Sequence, residues 1–122
     1  MTPNPVPPRT LSIDHVASSD GTATLVCKGK ITTETSGAFK SDVKNLAPGH
    51  QYILVDLSDV DFVDSFGLGD VLAAYLAARA VGCNLKLINV HPRVKDLLDI
   101  TRLASVLQDG VVPTTESKTT GA

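Results

Sequence analysis

The fold of this chain is decided by residues 53–76, which read ILVDLSDVDFVDSFGLGDVLAAYL. Residues 53–57 are aliphatic apart from one aspartate, which is typical of a strand buried in a parallel sheet. After an acidic stretch, the apolar positions recur at helical spacing from residue 65 onward. The sequence therefore predicts a strand, an acidic turn and a helix. The apolar positions of that helix are Leu68, Val71, Leu72, Tyr75 and Leu76.

Ser65 lies in the first turn of the predicted helix, directly after Asp64, which is a suitable capping residue. A helix N-terminus offers backbone N–H groups without intrahelical partners and the positive end of the helix dipole. Both favour an added phosphate at this place. Ser65 is therefore a candidate phosphorylation site.

The segment resembles the phosphorylation site of STAS domains, the family of anti-sigma-factor antagonists, through Asp64, Ser65, Gly67 and Leu68. The resemblance covers residues 10–108 and includes four further landmarks. These are Gly29 and Ile31 before a first helix, the strand at 53–57, Gly82 before a further strand, and 94–98 in a last helix. It implies a single α/β domain at 10–112, with a mixed central sheet of about 4–5 strands, an N-terminal hairpin and helices packed on the sheet.

The resemblance also implies a function, that of a binding switch without enzymatic activity or cofactor. Unphosphorylated, the chain would bind an anti-sigma factor that is itself a serine kinase, and a sigma factor would be released. The kinase would phosphorylate Ser65, a serine phosphatase would reset it, and the free chain would be a monomer. The alternative is a STAS subunit of an ABC lipid-transport system or of a stress-signalling scaffold. Two positions depart from the family pattern, because Thr32 follows Ile31 where an aspartate is usual and Phe66 follows Ser65 where a small residue is common.

The predicted second helix has an outward side that is nearly free of charge. Spacing its residues by 100° places Leu68, Val71, Leu72, Tyr75 and Arg79 inward, and Phe66, Gly69, Asp70, Ala73, Ala77 and Ala80 outward. A strip of small residues with one aromatic residue at its end indicates contact with another protein, unless Phe66 folds back onto residues 60–63. The predicted partner-binding residues are Thr32, Thr33, Asp64, Ser65, Phe66, Gly67, Asp70 and Ala73.

The remaining elements follow from turn and capping signals. Residues 10–28 predict a hairpin around Ser19, Asp20 and Gly21, and Thr32 or Thr33 is expected to cap a helix that has Glu34 in its first turn. Further predictions are a helix end at Pro48-Gly49, a strand at 85–90, a helix from His91-Pro92 to about Thr101 and a short edge strand at 104–107. Residues 1–9, with four prolines, and 113–122 are predicted to be disordered.

Composition narrows the function class. A net charge of −2 without a basic run argues against nucleic-acid and anionic-membrane binding. No apolar stretch reaches the roughly 20 residues that span a bilayer, and the first residues lack a signal peptide's apolar core, so a cytoplasmic protein is expected. Cys27 and Cys83 are far apart in apolar surroundings, which predicts buried reduced thiols.

Catalytic and metal sites are disfavoured by what surrounds Ser65 in the sequence. A nucleophilic serine needs a nearby base, and the histidines His15, His50 and His91 fall in other predicted elements. Val63 also replaces the first glycine of a nucleophile elbow. The acidic run from residue 56 to 64 lacks the glycine and terminal glutamate of a calcium loop, so solvated loop carboxylates are expected. The glycines at 67 and 69 are expected to allow close packing.

Overall fold

The computed structural model describes residues 10–17 and 20–107. The predicted lead-in at 1–9, the tail at 113–122 and Ser19 of the hairpin turn lie outside these residues. The strands are β1 (Leu11–Ala17), β2 (Thr22–Ile31), β3 (Tyr52–Val63) and β4 (Asn84–Ile88). The helices are α1 (Ser36–Leu46), α2 (Ser65–Ala80), α3 (Pro92–Thr101) and α4 (Ala104–Leu107), and a 3₁₀ turn, Ala47–Gly49, follows α1.

The four strands form one mixed sheet in the order β1-β2-β3-β4. β1 is antiparallel to β2, whereas β2, β3 and β4 are parallel and are connected through α1 and α2. This confirms the predicted α/β domain with an N-terminal hairpin. The core is built from alternate residues of the strands and one face of each long helix. Its fully buried members include Leu25, Ile53, Val55, Leu85, Phe39 and Leu98.

β3 is longer than predicted, because it continues through the acidic stretch to Val63. Its register against β2 shifts twice, between Val26 and Lys28 and between Gly29 and Lys30. Each shift places an additional β3 residue in the ladder, which is how a β-bulge acts. The acidic residues 58–61 therefore belong to a bulged strand, and the prediction of a loop there was wrong.

α1 begins at Ser36, so the prediction that Thr32 or Thr33 caps it was wrong, as was the placement of Glu34 in its first turn. The Thr32 carbonyl accepts the N–H groups of both Thr35 and Ser36 at 3.0 and 2.8 Å. The Thr35 hydroxyl in turn accepts the Thr32 N–H and donates to the Lys30 carbonyl. These bonds close a turn over residues 32–35, which delays the start of the helix.

The C-terminal part differs from prediction in two places. β4 ends at Ile88 because Asn89 has a φ of 51° and turns the chain away from the sheet. Residues 104–107 form α4 and not an edge strand, since the Leu103 carbonyl accepts the N–H groups of Val106 and Leu107. A helical turn satisfies these groups locally, so they do not need a sheet. α3, by contrast, spans Pro92–Thr101 with His91 as its N-cap, as predicted.

Two further expectations concern the cysteines and the bilayer. Cys27 and Cys83 are both buried and form no disulfide, and burial raises the pKa of the Cys27 thiol to about 12. Both are therefore neutral thiols within the core. Over residues 10–17 and 20–107, none of the helices combines the length and the apolar character that a bilayer crossing requires.

Candidate functional site

Asp64 joins three parts of the chain at the start of α2. One carboxylate oxygen accepts the Gly67 N–H at 2.6 Å, and the other accepts the Thr33 N–H at 3.3 Å. Its own backbone N–H donates to the Ile31 carbonyl at 3.1 Å. Asp64 therefore caps α2 as predicted and also ties the helix to the end of β2 and to the turn at 32–35.

Gly67 lets α2 approach the end of β2 closely. A methyl group at this position would lie inside contact distance of the Ile31 carbonyl oxygen and carbon. Gly69, one half-turn later, faces open space. The expectation that both glycines allow close packing is therefore confirmed for Gly67 and wrong for Gly69.

Ser65 and Phe66 form the outer edge of this junction. Ser65 is the first residue of α2 and is exposed. Phe66 is 72% exposed, so residues 60–63 do not cover it. Phe62, near the end of β3, is 48% exposed, and the Lys30 ammonium lies 5.7 Å from its ring centre. The hydroxyl at the helix start is thus accessible and stands beside an exposed aromatic ring.

The acidic side chains of β3 are bound to different partners. Asp61 pairs with Lys30 at 3.2 Å, and the hydrogen bond from Lys30 lowers the pKa of that carboxyl. Asp56 accepts hydrogen bonds from the Ser58 hydroxyl and the Asn89 amide. Within the described ranges, no three histidine, cysteine or acidic residues gather as metal ligands would.

Asp70 is occupied by α1. Its carboxylate accepts a 2.6 Å hydrogen bond from the buried Ser36 hydroxyl. It also forms an ion pair with the Lys40 ammonium at 3.3 Å. The Ser36 bond, followed by the Lys40 bond, lowers the pKa of the Asp70 carboxyl. Asp70 therefore fastens α1 to α2 across the helix pair.

The predicted partner-binding residues fall into three groups by accessibility. Thr33, Ser65 and Phe66 are exposed, and Asp64, Asp70 and Ala73 are half-buried. Thr32 and Gly67 are buried beneath them, so they shape the surface without lining it. Thr32 is held there because its hydroxyl accepts the Glu34 N–H.

The inward side of α2 differs from the predicted arc. Arg79 is exposed and Leu72 is only half-buried, whereas Ala74 and Ala78 are fully buried. Leu76, one of the predicted apolar positions, is 54% exposed. α1 packs on α2 and rotates the buried face toward the small side chains. Two alanines four residues apart lie on the same face of a helix, so the spacing of Ala74 and Ala78 is the sequence feature that indicates a close contact with another helix.

The three histidine rings contact residues outside the start of α2. The ring of His91 caps α3 by accepting the Arg93 N–H, and His50 bonds to the Leu46 carbonyl. His15 lies 3.4 Å from Asp42.

The curated relatives that the chain matches include two anti-sigma factor antagonists. A Thermotoga neapolitana protein, provisionally named an anti-sigma factor antagonist and TM1081 homologue, is 32% identical over 86 residues, which cover 69% of this chain and 76% of the relative. The anti-sigma-B factor antagonist of Bacillus subtilis (strain 168) is 29% identical over 79 residues, 65% of this chain and 72% of that protein.

Solved structures agree with the fold described above. The Bacillus anti-sigma factor antagonist SpoIIAA in its unphosphorylated form superposes with a TM-score of 0.69 at 18% identity, covering 88% of this chain and 91% of that chain. Its phosphorylated form gives a TM-score of 0.63 at 17% identity, with 88% and 95% covered. The STAS domain family model matches residues 15–118, which include the whole sheet from β2 onward and the capped start of α2. This chain therefore belongs to the STAS domain family.

Proposed function

We propose that this protein is an anti-sigma-factor antagonist whose binding to an anti-sigma factor is controlled by phosphorylation of Ser65. The anti-sigma factor would be a serine kinase, and it would bind the unphosphorylated chain and so release a sigma factor. A serine phosphatase would restore the binding-competent form. The proposal rests on the family of the chain and on the names of its curated relatives.

The observation that carries the proposal is the accessibility of Ser65 at a rigid place. The Asp64 cap fixes the first turn of α2, and the Ile31 carbonyl and Gly67 hold that turn against β2. A kinase therefore meets an exposed hydroxyl on a backbone that is held in one position. Phe66 beside it supplies an exposed aromatic surface of the kind that anchors protein interfaces.

The local charges decide how phosphorylation acts. A phosphoryl group adds about −1.5 to −2 charges, and the α2 dipole favours such a charge by roughly 0.3 to 1 kcal/mol. Asp61 and Asp70 already pair with Lys30 and Lys40, which moderates their repulsion of the phosphate. The carboxylate of Asp64 shares the helix start with Ser65 and repels the added charge, by about a kcal/mol at close range across water. Neither effect approaches the roughly 5 to 15 kcal/mol that holds a domain folded.

A docked partner responds differently to the same charge. Burying an unpaired phosphate in an interface carries a desolvation penalty of several kcal/mol, which lowers affinity by orders of magnitude. We therefore expect phosphorylation to block docking while the fold stays intact. The switch is then the charge at the contact surface.

The test is a phosphorylation assay with candidate kinase-type anti-sigma factors. The protein is mixed with each kinase and ATP, and its intact mass is measured. With the cognate kinase, the chain should gain one phosphoryl group, and Ser65→Ala should gain none.

Ser58→Ala is the matched control, because Ser58 is also an exposed serine but its hydroxyl is bonded to Asp56 within β3. This variant should be phosphorylated like wild type. Peptide mapping that places the phosphate on Ser58 or Thr33 would overturn the proposal.

A further inference from the structure

The N-terminus of α3 is capped by an imidazole ring. The backbone N–H of Arg93 donates to Nδ1 of His91 at 3.1 Å. Because a backbone N–H can only donate, Nδ1 must accept through its lone pair, and the proton of the neutral ring is then on Nε2. The cap therefore requires the uncharged form of this histidine.

The rest of the first turn of α3 does not depend on the ring. Pro92, the first residue of the helix, has no N–H group. The N–H groups of Val94 and Lys95 both donate to the His91 backbone carbonyl at 2.9 Å. In this turn the ring therefore serves the Arg93 N–H alone, and its loss as an acceptor would loosen the helix start while the remainder of α3 stays in place.

The charges around the ring act on its protonation in both directions. His91 lines a cleft together with Lys30 of β2 and Asp59 and Asp61 of β3. The two carboxylates attract a charged imidazole, but the Lys30 ammonium repels it and already pairs with Asp61 at 3.2 Å. The positive end of the α3 dipole and the neighbouring Arg93 also oppose a cation at this place. These opposing charges offset each other, so the lost cap bond decides the response of the helix start.

The other two histidines keep their contacts when they are charged. Nδ1 of His50 lies 2.8 Å from the Leu46 carbonyl oxygen, which can only accept, so this bond persists on a protonated ring. Nε2 of His15 lies 3.4 Å from the Asp42 carboxylate, and a positive charge on the ring strengthens that attraction. His91 is therefore the histidine whose described hydrogen bond is lost on protonation.

We propose that His91 is a pH-sensitive cap, which holds the start of α3 when the ring is neutral and releases it when the ring is protonated. Histidine is the side chain that ordinarily changes its charge between about pH 5 and 8. A proton taken up from solvent occupies Nδ1, so the Arg93 N–H loses its acceptor and turns to water. The charged ring also makes the cleft beside Lys30 more positive. This response is independent of the sigma-factor role and of Ser65.

The test is a pH titration of the ¹⁵N-labelled protein from about pH 8 to about pH 5, followed by NMR. The Arg93 amide proton should move upfield as its hydrogen bond is lost, with the same midpoint as the ring protons of His91. The Gly67 amide is the internal control, because it is bound to the Asp64 carboxylate and should not move over this range. An Arg93 amide that stays in place while the His91 ring titrates would refute the proposal.

His91→Asn is the matched variant, because asparagine also accepts a hydrogen bond at an N-cap but does not change its charge over this range. The upfield movement of the Arg93 amide should be absent from this variant. Between about pH 8 and about pH 5, the Tm of the wild type should fall by about 4 °C more than that of His91→Asn, the typical effect of one lost cap in a domain of this size. Equal changes in Tm, or an Arg93 movement that persists in His91→Asn, would show that the ring is not a pH-sensitive cap.

Discussion

Replacement of Gly67 by alanine tests the junction between α2 and β2. Alanine normally stabilises a helix relative to glycine, by up to about 1 kcal/mol. Here the added methyl group would overlap the Ile31 carbonyl, so the helix start must retreat by on the order of 1 Å to restore van der Waals separation. A shift of that size stretches the 3.1 Å bond between the Asp64 N–H and the Ile31 carbonyl beyond hydrogen-bonding range.

The expected decrease in the free energy of unfolding combines the overlap, the lost hydrogen bond and the gain in helix propensity. Overpacking costs about 1 to 3 kcal/mol and the lost hydrogen bond about 0.5 to 1.5 kcal/mol, less the gain in helix propensity. Gly67→Ala should therefore lower the free energy of unfolding by about 1 to 4 kcal/mol. At roughly 4 °C per kcal/mol for a domain of this size, the Tm should fall by about 4 to 15 °C.

Gly69→Ala is the matched control, because it makes the same chemical change two residues later in the same helix. A methyl group there meets nothing within 4 Å. Its helix propensity should raise stability by up to about 1 kcal/mol. Urea denaturation and calorimetry of both variants give the comparison. If Gly67→Ala were as stable as wild type, the close approach to Ile31 would not constrain the site and the argument for a rigid Ser65 would be withdrawn.

Three further predictions concern the exposed residues at the start of α2 and the residues that hold this helix in place. Ser65→Asp should leave the Tm near wild type but weaken anti-sigma factor binding tenfold or more, about 1.4 kcal/mol; a large fall in Tm would contradict blocked docking. Phe66→Ala should weaken the complex by about 2 kcal/mol with little change in stability, whereas Leu68→Ala, at a buried position, should reduce stability by about 2 to 5 kcal/mol; equal losses in calorimetry would contradict this placement of Phe66. The lowered pKa of Asp70 stabilises the fold above the carboxyl's unfolded pKa, and this contribution is lost as pH falls through the folded pKa. Below about pH 4 the denaturation midpoint should therefore decline less steeply with falling pH in Asp70→Asn than in the wild type. The same decline in both proteins would exclude a role for the Ser36 bond.

The start of α2 could be predicted from sequence because its signals are local. Asp64 caps the residues that follow it, and the apolar spacing from Leu68 fixes the element as a helix. The same is true of Gly82 and of His91-Pro92, which end and begin helices through their own backbone geometry. Capping and turn signals act over a few residues, so they remain visible in a single sequence.

The acidic half of β3 could not be predicted, since two bulges break the alternation that identifies a strand. Up to Leu57 the buried residues alternate, but beyond it Val60 and Val63 are buried at intervals of three. The charge that makes this stretch look like a loop is balanced across the strands by the pair of Asp61 with Lys30, 31 residues earlier. Pairs of that sequence separation arise only when the sheet forms.

The orientation of α2 was predicted only in part: Leu68, Val71 and Tyr75 are buried as predicted, whereas Leu72 is half-buried and Arg79 is exposed. A helical wheel assigns the large apolar residues inward, but α1 packs on α2, and the small residues Ala74 and Ala78 are buried while Leu76 stays exposed. The contact that fixes the pair, between Asp70 and Ser36, joins residues 34 positions apart. The packing of one helix on another is decided by both surfaces, and only one of them is visible in a local window.

The exposure of Phe66 also makes the surface beside Ser65 accessible to fluorescence. The chain contains no tryptophan, so Phe66→Trp would introduce a single indole. Because the native ring is largely in water, this indole would emit at long wavelength in the free protein. Coverage by a bound protein would shift its emission to shorter wavelength, while phosphorylation of the neighbouring serine would keep it in water. One emission spectrum could then report occupancy of the surface in real time, without a label on either protein.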